Sequence, residues 1–519
     1  MREPNRAIWM PWRTPTKRHG ALSERRTSST DRAMTESIAD LADRAMAHLN
    51  AGRFAEAATE LEALLSQKPD LPDMWYNLGY AQRRLHRFEE ALASYAQALD
   101  RGVADPQEVH LNRAVVLTGD LSRPDEAKEE LGKALAIAPR YFPALLNLGG
   151  LHEDRGDREA AREAYAKALE IEPGDALVLT RLAVLSDIES ADDTLVKRIE
   201  ARIGAPSSTA DDRADLGFAL GQILDRLGDY DAAFAAYRAA NQASAQVKTA
   251  NSFAYNRAAE SAHTDRLIAA FDTPDTPDTP GGEEKPLFIC GMYRSGSTLA
   301  EQILSRHSRV TMGGELDLVP SILVKAFGRY PDDATNAARS KIADLRTAYL
   351  DDLEKRFPDS DIVTDKRPAN FRHIGLIKRV FPGAKIVDTL RQPIDNCLSV
   401  YLAHLGGQAP YARDLDDIVH FYREYRRLMA HWQSLWPDNI LGLDYDALVS
   451  DPEPHIRRLL DFAGLDFEEA CLEPHKGEGT VRTLSAWQVR QPLYKKSSGR
   501  WRNYESHIAP LIEAFDKPN

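Results

Sequence analysis

Cysteine is scarce in this chain: there are three in 519 residues, Cys290, Cys397 and Cys471, far apart and with no CxxC spacing. That excludes a disulfide framework and a zinc knuckle, and leaves buried thiols as the expectation. Long apolar runs are missing too. No stretch approaches the roughly 18 residues of a membrane span, and the first residues lack the apolar core of a signal peptide, so a cytoplasmic protein without membrane contact is expected. A basic excess is also absent. At a formal net charge of −13 the chain does not advertise the positive face that phosphate-backbone binding needs. Nucleic acid is therefore not an expected partner, though a local basic pocket is compatible with this balance. The fourteen histidines show no ligand or triad spacing.

What is present is the composition of an ordinary globular protein, 43% apolar and 28% charged, in a chain too long for a single core. Residues 1–36 are basic, rich in Ser, Thr and Arg, and without periodicity. They read as a disordered leader, with Met34 as an alternative start to Met1.

Over 37–270 the sequence repeats itself. Phe54, Ala57, Leu61 and Pro69 fall at the offsets of Phe88, Ala91, Tyr95 and Ala98 and of Ala161, Tyr165, Ala168 and Pro173, while Leu78-Gly79 matches Leu148-Gly149. The period is near the about 34 residues of tetratricopeptide repeats, with small residues where two helices cross and proline closing the second helix. Gly221, Ala233, Tyr237 and Ala240 mark a further pair after a less regular stretch. Such an array holds an extended peptide or a second subunit on its concave face, or acts as a spacer or self-association arm. It gives way to a linker at 271–285, where repeated Thr-Pro-Asp and then Gly-Gly forbid helix and strand alike.

Past the linker, Leu287–Cys290 reads as a buried strand, Gly291–Gly296 as a turn-forming loop and Ser297–Leu304 as a helix. Strand, glycine loop and helix together turn backbone N–H groups toward a phosphate. Gly291-x-x-x-x-Gly296-Ser297-Thr298 nearly spells the nucleotide-triphosphate P-loop, yet Ser297 stands where that motif requires lysine. A single phosphate at this point, with Arg294 as the nearby cation, fits better than a β/γ-phosphate pair and its Mg²⁺. Further strands are expected at 361–364, 385–390 and 440–443, alternating with helices, which implies a parallel sheet with its ligands at the carboxyl ends.

Arg294-Ser295-Gly296-Ser297-Thr298-Leu299, followed by Gly314-Glu315 and Val319-Pro320, resembles the 5′-phosphosulfate loop of the sulfotransferase superfamily. The branch it is similar to holds the tyrosylprotein sulfotransferases and the bacterial repeat-bearing enzymes. The expected fold is therefore two-part: an all-α tetratricopeptide-repeat solenoid, then an α/β P-loop-like sulfotransferase domain with a central parallel sheet over 286–519. The resemblance implies sulfuryl transfer from 3′-phosphoadenosine 5′-phosphosulfate, without a metal, to a hydroxyl on an acceptor protein, a saccharide or a small alcohol.

It also implies roles. Glu315 is the base, and Arg294 and Lys366 neutralise charge on the sulfuryl group and the leaving oxygen. Arg294, Ser295, Gly296, Ser297 and Thr298 hold the 5′ side, while Arg391 and Ser399 hold the 3′-phosphate. Tyr445, Ser485, Gln488 and Arg500 flank the nucleotide, with Arg500 standing where the tyrosylprotein enzymes have lysine. Trp487 is an adenine-stacking candidate or a core residue. The competing expectation is a repeat scaffold whose nucleotide fold is degenerate and serves only for binding.

Overall fold

The computed structural model describes residues 37–121, 123–247, 254–274, 284–477 and 497–515. The leader 1–36 and residues 275–283 of the linker lie outside the described residues. The chain forms two compact units that divide between Ser186 and Asp187.

The first unit is helical from Ile38–Asn50 to Ala176–Leu185. Its helices pair at small residues: a Cβ on Gly79 would lie 2.8 Å from the ring of Tyr95, and one on Gly149 would lie 2.4 Å from that of Tyr165. Only glycine lets these backbones approach over a fully buried tyrosine. Helices Phe54–Gln67, Pro124–Ile137 and Arg158–Ile171 all end just before Pro69, Pro139 and Pro173. The residues between, Lys68, Ala138 and Glu172, have ψ of 83°, 86° and 83°, because a following proline disfavours the helical region.

The second unit begins with further helices. Ala210–Arg226 and Tyr230–Gln246 repeat the same crossing, Gly221 against Tyr237 at 2.7 Å, and helix Arg257–Ala270 follows. Phe234, Tyr237, Leu267 and Phe271 share one continuous core with Phe288, Phe371, Ile386 and Trp432 of the sheet region. The units accordingly divide at Ser186 and not at the Thr-Pro-Asp stretch. The last repeat-like helix pair buries its apolar face against the α/β fold.

That fold is a five-stranded, all-parallel sheet in the order β2-β3-β1-β4-β5. The strands are β1 (Pro286–Gly291), β2 (Val310–Thr311), β3 (Ile362–Lys366), β4 (Ile386–Leu390) and β5 (Ile440–Asp444). In β1, Leu287 and Ile289 enter the core on one face and Phe288 and Cys290 the core on the other, as alternation requires of a strand covered on both sides. Register places Ile289 beside Lys366, Gly291 beside Thr389, and Leu390 beside Asp444, so the carboxyl ends line up along one edge. All three cysteines are buried free thiols. Among the described residues no helix is long and apolar enough to cross a membrane.

Candidate active site

The loop after β1 is shaped by three residues with positive φ: Gly291 at 141°, Arg294 at 68° and Gly296 at 105°. A side chain on Gly291 would meet the Thr389 carbonyl at 2.6 Å, and one on Gly296 the Tyr445 ring at 2.7 Å. The loop thus lies flat on β4 and on the residue after β5. The Ser295 hydroxyl braces it from within, donating to the Met292 carbonyl (2.6 Å) and lying 2.7 Å from the Thr389 hydroxyl. Ser297 and Thr298, both buried, open helix Ser297–Leu304, whose first N–H groups have no partner within the helix, as at any helix start.

β4 delivers Arg391. The turn after it is pinned by Asp446, which accepts from the Gln392 N–H (2.7 Å), and by the Gln392 side chain, which accepts from the Asp395 N–H (2.7 Å). Helix Pro393–Tyr401 then presents Ser399. Arg294 Nε donates to Ser399 Oγ (3.3 Å), and Arg391 Nη1 to the Arg294 carbonyl (3.3 Å). The loop cation and the expected 3′-phosphate pair are therefore one contiguous cluster. Arg391 also reaches the Ser497 carbonyl (2.5 Å) and lies 5.2 Å from the centre of the Tyr445 ring. Its Nε is buried with no partner among the described residues, a donor that an anion at this point would satisfy.

β3 delivers Lys366, 1% exposed, whose ammonium lies 2.8 Å from the carboxylate of Glu315, 41% exposed. Glu315 ends the turn Gly313-Gly314-Glu315, and that turn is held partly by Glu301 and Thr364, which the sequence alone does not single out. The Gly313 N–H donates to the Thr364 hydroxyl (3.0 Å), and the Lys366 N–H donates to the Gly314 carbonyl (3.0 Å). Glu301, fully buried, accepts from the Gly314 N–H (2.9 Å) and the Thr364 hydroxyl (2.7 Å). A side chain on Gly313 would meet the Thr364 carbonyl at 2.0 Å, so only glycine fits. Burial raises the Glu301 carboxyl above the usual range, against the pull of Lys366 and of both hydrogen bonds.

Two more carboxyls sit wholly inside the sheet. Burial pushes Asp365 and Asp388 up to about 7, although Tyr349 and Asn370 donate to the first and Tyr425 (2.5 Å) to the second. They anchor side chains beneath the site.

Of the C-terminal candidates, Ser485, Trp487 and Gln488 lie outside the described residues. Arg500 is taken up by an ion pair with Asp225 of helix Ala210–Arg226, which also accepts from Tyr504 (2.5 Å). Its neighbours are fixed near Arg391: Asp395 accepts from the Gly499 N–H (2.5 Å) and the Trp501 N–H (2.9 Å). Among the described residues no three His, Cys, Asp or Glu side chains gather as a metal-ligating group.

Residues 286–469 match the model of the sulfotransferase family, and residues 42–109, 120–185 and 215–246 match tetratricopeptide-repeat models. An uncharacterized protein of Aquifex aeolicus (strain VF5) is 32% identical over 413 residues, 76% of this chain and 52% of that protein. The chain thus spans about half the length of that relative. A putative protein-tyrosine sulfotransferase of Caenorhabditis briggsae is 24% identical over 231 residues, 42% of this chain and 81% of that protein. A solved structure, the sulfotransferase domain from the Synechococcus PCC 7002 olefin synthase, aligns with a TM-score of 0.35 at 22% identity, covering 47% of this chain and 98% of that one.

Proposed function

Starting from a sulfotransferase-family domain at residues 286–469 behind tetratricopeptide repeats, we propose that this protein transfers a sulfuryl group to an acceptor hydroxyl with Glu315 as base. The donor in this reading is 3′-phosphoadenosine 5′-phosphosulfate, which supplies the sulfuryl group. The observation that carries it is the Lys366–Glu315 pair at 2.8 Å, at the end of β3 and one strand from the glycine loop. A base and a cation are what in-line displacement at sulfur requires, one for the acceptor proton and one for the leaving oxygen.

The loop N–H groups and the start of helix Ser297–Leu304 bind the 5′-phosphate side, with Arg294 as the charged fork. Arg391, through its unpaired Nε, and Ser399 bind the 3′-phosphate. Glu315 is exposed enough to meet an acceptor and takes its proton. Once protonated, Glu315 no longer holds Lys366, and the ammonium turns to the charge growing on the leaving phosphate oxygen. The relatives' names support a protein tyrosine as one such acceptor. In this reading the repeats of the first unit hold an acceptor protein or a second copy of the chain.

The test is transfer from radiolabelled donor at varied donor concentration. Arg391→Ala is expected to raise the donor KM about tenfold or more, the effect of losing a charge-assisted contact, with a smaller effect on kcat. An unchanged donor KM contradicts the assignment.

A further inference from the structure

Asp225 has no part in the roles assigned above. It lies on helix Ala210–Arg226, outside the sulfotransferase-matched residues and within 215–246, which match a repeat model. We propose that Asp225 is a positioning residue for the donor's 3′-phosphate, acting through residues 497–504, which orient Arg391. This rests on the sulfuryl-transfer reading and its donor.

The contacts run without a break from the repeat-type helix to the pocket. One Asp225 oxygen pairs with Arg500 and the other accepts from the Tyr504 hydroxyl (2.5 Å), both on the short helix Arg500–His507. The Asp225 side chain is 13% exposed and Tyr504 is fully buried, so water competes little for this charge-assisted contact. His507 attaches the same short helix a second time: its Nε2 lies 2.6 Å from Asp231, and its ring stacks on Phe234 with centres 4.7 Å apart. Asp231 and Phe234 belong to helix Tyr230–Gln246, so the repeat-type pair holds one side of residues 500–507.

The residues just before face Arg391. Gly499 turns with φ 76°, and its N–H and that of Trp501 both reach Asp395, on the helix that carries Ser399. The Ser498 hydroxyl pairs with Asp446, which also accepts from the Gln392 N–H next to Arg391. The Ser497 carbonyl accepts from Arg391 Nη2 (2.5 Å). A guanidinium is a rigid planar fork, so this bond and that of Nη1 to the Arg294 carbonyl together fix its plane and thereby the direction of Nε. Nε is the buried donor with no partner among the described residues. Electrostatics join the same groups: burial pushes the Tyr237 phenol up and Asp225 adds to the rise, while Arg500, Arg226 and Arg294 oppose it.

Removing the Asp225 carboxylate takes from Arg500 and Tyr504 the acceptor they share. Residues 497–501 then lose their hold on the helix pair, and Arg391 keeps its charge but not its set direction. The loss falls on recognition of the 3′-phosphate and leaves that of the adenosine and the 5′-phosphate.

The experiment is titration calorimetry of the full chain with 3′,5′-adenosine bisphosphate and with 5′-adenosine monophosphate, which lacks the 3′-phosphate. Asp225→Ala is expected to weaken the bisphosphate about tenfold, the scale of one hydrogen bond to a charged group, with the monophosphate unchanged. Asp225→Asn, which keeps the shape and an acceptor for Tyr504, should lose less, and it carries the test if Asp225→Ala does not fold. Asp215→Ala removes a contact of the same helix to His404 (2.8 Å) and should leave both affinities as they are. A preference for the bisphosphate that is undiminished in every folded Asp225 variant, equal losses for the two nucleotides, or the same loss in Asp215→Ala overturns the positioning role. A native chain that binds the bisphosphate no more tightly than the monophosphate instead overturns the donor reading.

Discussion

Glu301 shows how much of the site depends on a side chain that touches no reactant. Its carboxylate ties the Gly314 N–H to the Thr364 hydroxyl and so fixes the turn that carries Glu315. Glu301→Ala leaves both donors buried and unpaired, a cost of about 1–3 kcal/mol in denaturant unfolding. It should also lower kcat while leaving the donor KM near that of the native chain. Glu301→Gln retains an acceptor oxygen and should restore most of both. Arg294, Lys366, Glu315 and Arg391 were open to proposal from the sequence because a motif marks them. Glu301 was not, because a glutamate within STLAEQIL reads as the solvated side of a helix. Its burial depends on β3 and the Gly313-Gly314 turn, which the helix alone does not reveal. Asp388 gives a second test at this scale. Its folded pKa of about 7 lies above the about 3.9 of an unfolded aspartate, so the folded state holds the extra proton between those values. That contribution to stability is present at low pH and is lost as pH rises through about 7. Asp388→Asn should therefore flatten the fall in thermal midpoint between about pH 4 and 7, read by calorimetry; an unchanged slope argues against a protonated Asp388.

Gly296 joins the loop, the helix behind it and the end of β5. Gly296→Ala would need φ near 105° with a methyl group 2.7 Å from Tyr445, so the loop must shift. Affinity for 3′,5′-adenosine bisphosphate should fall about tenfold or more by titration calorimetry, about 1.4 kcal/mol per tenfold step. Native affinity would show that the loop does not bind the nucleotide. β1, β3, β4 and β5 were readable as apolar runs between turn signals, and helices Ser297–Leu304 and Pro393–Tyr401 from the loop and the Gln392-Pro393 start. β2 was not readable, because two residues carry no period. The long helix Leu415–Leu435, whose buried Tyr425 and Trp432 support the sheet, carries no motif that flags it.

At the scale of the whole chain, composition pointed to the linker 271–285 as the natural cut, yet the compact units divide at Ser186. Linker chemistry reports where regular structure stops, whereas unit boundaries follow shared cores. Phe234, Tyr237, Leu267 and Phe271 lie in the core of the sheet region. A fragment of residues 187–519 should accordingly unfold cooperatively with a single midpoint. One starting at 284 should expose that apolar face and aggregate, as light scattering would report. Equal behaviour of the two fragments would count against a common core.

The most direct test of the whole account compares the full chain with Glu315→Gln, measuring radiolabelled sulfuryl transfer and bisphosphate binding side by side. The account predicts a loss of about 10²-fold or more in transfer, with binding retained. Undiminished transfer by Glu315→Gln would contradict it.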